Sequence, residues 1–397
     1  MASTLCKVYK NFGHMAVVEL SPRLTKVQNA LFEKAHTEPC EVKHVAIALK
    51  KQGLKGDKIF MHPEMAPLPM AQCPELQKLT HRQKIILSGC CFGNMYKMVG
   101  RSEHQAIDSN MVTAEKSFSR YSDEYMVLAQ ETAEEYDHIW SFRTVHAMAC
   151  KETGMPEEFI NNELGFFSGE LSSRPKNLPL SSRAIQFGLA DGMRFLPKSF
   201  AQSSGLGALW LLYRFIGNVY LKQAEAYLHD ELGGHEYDPL AVEMTKAHLI
   251  DEARHYTTSY DVGLEIYKSA DLWGQSLIKT LIKGLLEDFI RRFYITFSEM
   301  LAFHEQGIVS TAVRQSIRSM EMAFNHPEFD GIDLDPKMLP CTWYEKGFGK
   351  ELGPIIKKRW RYTSQQLERL IQALDIKLNA DRMGQGYDRY KIALNSY

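Results

Sequence analysis

This 397-residue chain has no Cys-x-x-Cys pair, no Gly-x-Gly-x-x-Gly turn, no surplus of either charge and no long apolar run. Each absence removes a class of function. Lysine and arginine total 47 against 48 acids, so no field draws the chain to nucleic acid or to an acidic membrane surface. No stretch reaches the ~20 apolar residues of a spanning helix. The opening residues lack the apolar segment of a secretory signal, which leads us to expect a cytoplasmic protein. The seven cysteines (6, 40, 73, 90, 91, 150 and 341) are odd in number and scattered, and adjacent Cys90 and Cys91 have poor geometry for a mutual bridge. Reduced thiols are the expectation. With neither a nucleotide turn nor a cysteine cluster, electrons for any redox chemistry must come from an external donor. A metal, if bound, must be held by histidine and carboxylate.

Sustained strand alternation is also missing, and the chain reads as all-α. Residues 1–75 form an irregular, partly helical N-terminal extension that ends in Pro63, Pro67, Pro69 and Pro74. Residues 76–305 carry the core. Ile85, Ile86, Leu87, Phe92, Met95, Tyr96 and Met98 share one face and predict a helix from Leu79 to Phe118, with Gly100 as a possible flaw. Ser122-Asp-Glu supplies a cap and an acidic first turn for the next helix. Glycine and proline then mark 151–204 as an insertion, a lid or pocket wall. A helix follows from Gly205 to Leu232. Asp238-Pro239 opens another that runs to about Tyr267. Further helices are expected at Leu277–Phe303, Ser310–Phe324 and Leu352–Leu378, those of 306–397 packing on the core.

The helix opened by Asp238 places His248, Glu252 and His255 at relative positions 0, 4 and 7, on one stripe. The helix after Ser122 carries Glu135-x-x-His138. A third match, Glu41-x-x-His44, has no flanking ligand and reads as a chance match on a solvated first turn. Taken singly, each residue has a plainer reading: Glu103 and Glu225 as surface carboxylates, His248 as a satisfied core histidine, Glu134 and Asp251 as surface charges. Two Glu-x-x-His motifs at matching places in two helical hairpins are a different matter. A four-helix metal bundle needs that pattern, plus one glutamate from each remaining helix.

Height along the helices selects those glutamates. Glu135 lies 13 residues past Ser122, about 20 Å of rise, and Glu103 lies 15 before Phe118 and matches it. Glu115, near the turn, does not. Glu225 is only eight residues before Gly233, whereas Glu252 is 14 past Asp238. Loop 233–238 would have to span the remaining ~9 Å, which six residues can do. Glu225 is the one interior acid of its helix and stands as the expected ligand. Glu134 and Asp251, each preceding a ligand glutamate, are placed to bond the outer ring nitrogen of a neighbouring histidine. Tyr136 and Tyr256 are candidates for an electron relay, against a plainer role in the core.

The ordered set Glu103, Glu135-x-x-His138, Glu225, His248-x3-Glu252-x-x-His255 resembles the ferritin-like non-haem di-iron oxygenases. His248, one turn before Asp-Glu-Ala-Arg-His, resembles the AurF-type family, the p-aminobenzoate N-oxygenases. The resemblance covers roughly residues 80–305. It implies a ferritin-like four-helix bundle core with additional helices and a lid-like insertion. It also implies two iron ions, with manganese as competitor, and O2 as co-substrate. The implied reaction oxidises the nitrogen of a small amine-containing metabolite to hydroxylamine and nitro, with an external reductase and no catalytic residues beyond the ligands. Two spacings depart from the family pattern: His138 to Glu225 is long, and Glu225 to His248 is short. The alternatives are a di-iron hydroxylase or desaturase acting on carbon of an acyl or amino-acid substrate, and a non-enzymatic iron-binding protein of ferritin type. A homodimer is the default assembly.

Overall fold

The computed structural model describes residue 33 and residues 40–55, 57, 58, 60, 78–155, 193–232, 239–294, 321–332 and 354–395; for 94, 95, 97, 98, 101, 102, 105, 220–232, 239–241, 292, 293 and 354–359 it describes the backbone alone. The proline-rich link, most of the expected insertion and residues 295–320 lie outside the described residues. Every described element is helical. Among the described residues, no helix is long and apolar enough to cross a membrane.

Four long helices form two hairpins. α2 (His81–Ser117) and α3 (Asp123–Thr153) are the first; α5 (Leu206–Leu232) and α6 (Pro239–Ser269) are the second. α2 begins in a capping box: Thr80 Oγ1 accepts from Gln83 N at 3.3 Å, and Gln83 Oε1 accepts from Thr80 N at 2.8 Å. Replacing Thr80 with alanine removes one half of this pair and should cost about 1 kcal/mol, read as a lower urea midpoint at unchanged slope. The helix runs through Gly100 without a break. Ser122 caps α3 by accepting from Tyr125 N at 3.3 Å. Gly154, at φ +75°, closes that helix with its N–H on Cys150 O.

The hairpins meet where α5 lies against α2. A Cβ on Gly207 would come within 2.5 Å of Ser117 Oγ and 2.9 Å of Thr113 Cγ2, so the crossing requires glycine there. The preceding α4 (Lys198–Ser204) leads into α5, and α1 (Glu41–Gln52) packs on α3 and α6.

α7 spans Leu272–Phe293 rather than 277–303. Its start is fixed by Asp271, whose carboxylate accepts from Gly274 N at 2.7 Å while its own N–H donates to Ser203 O at 2.8 Å. Neither contact shows in apolar periodicity. α8 (Pro354–Ala373), α9 (Ala380–Met383) and α10 (Gln385–Asn395) complete the described chain. α8 and α10 pack on α5 and α7 through Trp360, Leu367, Leu370 and Tyr390. Tyr294 sits among them, its hydroxyl 2.6 Å from Ser364 Oγ.

The apolar interior falls into two clusters, and the candidate site lies between them. On α2, Val99 belongs to one cluster and Ala106 to the other, with Glu103 between. Phe142 and Leu128 bracket Glu135 and His138 on α3, and Ala247 and Tyr256 bracket His248–His255 on α6. The polar stripe occupies the one level at which three helices switch clusters.

Candidate metal centre

Six of the seven expected ligands converge at that level. Glu103, Glu135, His138, His248, Glu252 and His255 are all buried, none more than 5% exposed. They form two overlapping donor sets. One atom each from Glu103, His138, His248 and Glu252 lie mutually within 4.8 Å, and so do Glu135, Glu252 and His255. In the first set, His248 Nε2 is 3.6 Å from Glu103 Oε1 and 3.7 Å from Glu252 Oε1, while His138 Nδ1 is 3.8 Å from Glu252 Oε1 and 3.1 Å from Glu135 Oε2. In the second, His255 Nδ1 is 3.0 Å from Glu252 Oε1 and 3.2 Å from Glu135 Oε1. Glu252 is common to both.

The donor chemistry fits a transition-metal ion. Imidazole nitrogens and carboxylates suit iron, manganese or zinc, and the thiol-free inner set disfavours softer ions. Burial, and then the charge of Glu135, pushes the Glu103 carboxyl up to about 8. A cation between these carboxylates would relieve that repulsion.

Outside the donors, two acids hold the imidazoles. Glu134 Oε2 is 2.9 Å from His255 Nε2. Asp251 Oδ2 is 3.5 Å from His138 Nε2, an ion-pair distance without hydrogen-bond geometry. Both histidines therefore present Nδ1 inward and Nε2 towards an acid. Arg254 Nη2 donates to Glu134 Oε2 and Asp251 Oδ1, each at 2.9 Å. Burial would raise the Asp251 carboxyl, but His138, Arg254 and the Val42 N–H hold it far below the usual range.

α1 closes this side. The backbone N–H groups of Glu41 and Val42 donate to the Asp251 carboxylate at 3.4 and 3.1 Å, so the positive end of the helix rests on a buried anion. The Glu41/His44 pair supplies no side chain to the centre, and His44 is exposed. Its first turn serves through its backbone instead. Cys40, capping that turn, groups with His138 and Asp251.

α5 contributes what the sequence reading did not anticipate. Arg214 Nη1 donates to Glu131 Oε2 at 2.6 Å and Nη2 donates to Glu135 Oε1. Asn218 Nδ2 donates to Glu252 Oε2 at 2.8 Å. Asn110 Nδ2 donates to Glu131 Oε2 at 3.4 Å, and Asn110 Oδ1 accepts from Trp210 Nε1 at 2.9 Å. Burial would raise Glu135, yet His255 and Arg214 hold it well below the carboxylate range. Burial raises Glu131, and Arg214 only partly offsets it.

Two signals for these residues were present in the sequence. Arg214 is the only charged residue from Leu206 to Val219, and Glu131 sits one turn before Glu135 on the same stripe. Cys40 and Asn218 had none. The Glu225 side chain lies outside the described residues; its backbone position is two turns past Asn218, about 10 Å along α5. Tyr136 is 58% exposed, and Tyr256 turns its hydroxyl to Gln366 at 2.5 Å.

The chain matches no known family model, no curated protein and no solved structure.

Proposed function

We propose that this protein is a non-haem iron oxygenase with a ferritin-like bundle core, similar to the AurF-type N-oxygenases, that uses O2 to oxidise the nitrogen of a small amine. The observation that carries the reading is the convergence of Glu103, His138, His248 and Glu252, from three helices, in a buried cluster whose carboxylates repel each other. Iron held there would supply O2 activation and the redox chemistry. The chain's own residues would do the rest. Glu134 and Asp251 orient the imidazoles of His255 and His138 with Nδ1 inward. Tyr96 and Phe142 wall His248 with ring centroids at 6.4 and 4.9 Å and keep water from that side. Tyr96 is itself fixed by donating to Thr245 Oγ1 at 3.0 Å. Electrons would come from an external donor, in keeping with the absence of any nucleotide or cysteine-cluster motif from the sequence.

Metal analysis of the purified protein, followed by visible absorption when the anaerobically reduced protein meets O2, tests this reading. A long-lived absorption whose decay arylamines accelerate, and fatty acids do not, is the expected result. Acceleration by fatty acids alone would favour carbon oxidation, and iron uptake far beyond two per chain would favour storage. Removing the metal should also lower stability. An ion at a hundredfold excess over its Kd contributes about 2.7 kcal/mol, so chelation should lower the Tm and re-addition should restore it.

A further inference from the structure

The two donor sets are unequal, and α5 makes them so. Around the Glu103/His138/His248/Glu252 set, the inward atoms are Glu103 Oε1, His248 Nε2, His138 Nδ1 and Glu252 Oε1, with Glu135 Oε2 adjacent. No arginine or amide donor contacts those oxygens among the described side chains. The Glu135/Glu252/His255 set differs. Glu135 Oε1, the oxygen facing His255 Nδ1, accepts from the Arg214 guanidinium, and Glu252 Oε2 accepts from Asn218. A second ion beside His255 Nδ1 would have to displace a fixed cation from Glu135 Oε1, while Asn218 holds Glu252 by Oε2 and leaves Oε1 as that carboxylate's inward atom.

The four-helix metal pattern asks for a carboxylate from the helix that α5 represents. Where α5 meets the centre, it brings Arg214 and Asn218, and its described side chains, 206–219, include no acid. Arg214 is itself locked in place by Glu131, and its charge is permanent.

We propose that the centre is asymmetric: it holds one ion, at Glu103, His138, His248 and Glu252, and the Arg214 guanidinium takes the place of a second. This rests on the metal-centre reading above. It departs from that reading's family pattern in the number of ions and in the part played by α5.

Anaerobic titration of the metal-free full-length chain with Mn(II) tests the proposal, with bound metal measured after gel filtration and its electron paramagnetic resonance recorded. The wild-type chain should bind about one equivalent with an uncoupled signal. Arg214→Gln, which removes the charge, should bind about two with an exchange-coupled signal, and Arg214→Lys should stay near one. Circular dichroism reports whether each variant is folded. Two equivalents with exchange coupling in the wild-type chain would overturn the proposal whatever the variants do, and so would a folded Arg214→Gln that still binds one. A wild-type chain that binds no Mn(II) at all would instead overturn the metal-centre reading itself.

Discussion

His248→Ala should abolish metal binding at the proposed centre and leave the helices in place. The imidazole is one of two nitrogen donors in the Glu103/His138/His248/Glu252 set, and its Nε2 lies between Glu103 and Glu252. Deleting it leaves two buried carboxylates facing one nitrogen. Changing a residue that merely orients a ligand lowers metal affinity about 10–100-fold, and loss of a direct donor should exceed that. The ring is fully buried against Phe142, so the variant also leaves a small cavity. That cost should stay within the ~0.5–3 kcal/mol usual for single substitutions, because the flanking clusters are untouched. The expected result is metal content near zero with unchanged helical circular dichroism. Wild-type metal content in His248→Ala would remove this histidine from the centre.

What could be read from the sequence was what local spacing encodes. His248, Glu252 and His255 share a stripe because a helix repeats every 3.6 residues, and Glu135 and His138 do so for the same reason. Glu103 could be placed because the turn between α2 and α3 is short, which makes height along one helix a reliable measure of height along the other. The same count was less secure across the loop at 233–238. The helix phase that brings Arg214 and Asn218 to the centre depends on the close approach at Gly207, which is not a periodic signal. The contribution of α1 was hidden for another reason. Asp251 receives the backbone N–H groups of Glu41 and Val42 from about two hundred residues away, and backbone donors carry no residue code. The start of α7 was missed because a single cap at Asp271, rather than an apolar pattern, sets it.

Arg214→Ala should be among the most destabilising single changes in the chain. The guanidinium is buried with two carboxylates on it, and truncation leaves Glu131 and Glu135 without their cation. Breaking a buried pair from one side costs about 3–5 kcal/mol, well beyond what exposed pairs such as Lys279–Asp375 contribute. The asymmetric centre makes the more specific expectation. If Arg214 occupies the place of a second ion, an added divalent ion should stabilise Arg214→Ala more than it stabilises the wild-type chain, because only the variant offers two positions. At a hundredfold excess over its Kd, each occupied position adds about 2.7 kcal/mol, so Mn(II) should recover much of the loss. Urea denaturation of both proteins with and without Mn(II) measures the difference. A variant as stable as wild type would mean that Glu131 and Glu135 need no cation, and equal gains from Mn(II) in the two proteins would mean that Arg214 guards no metal position.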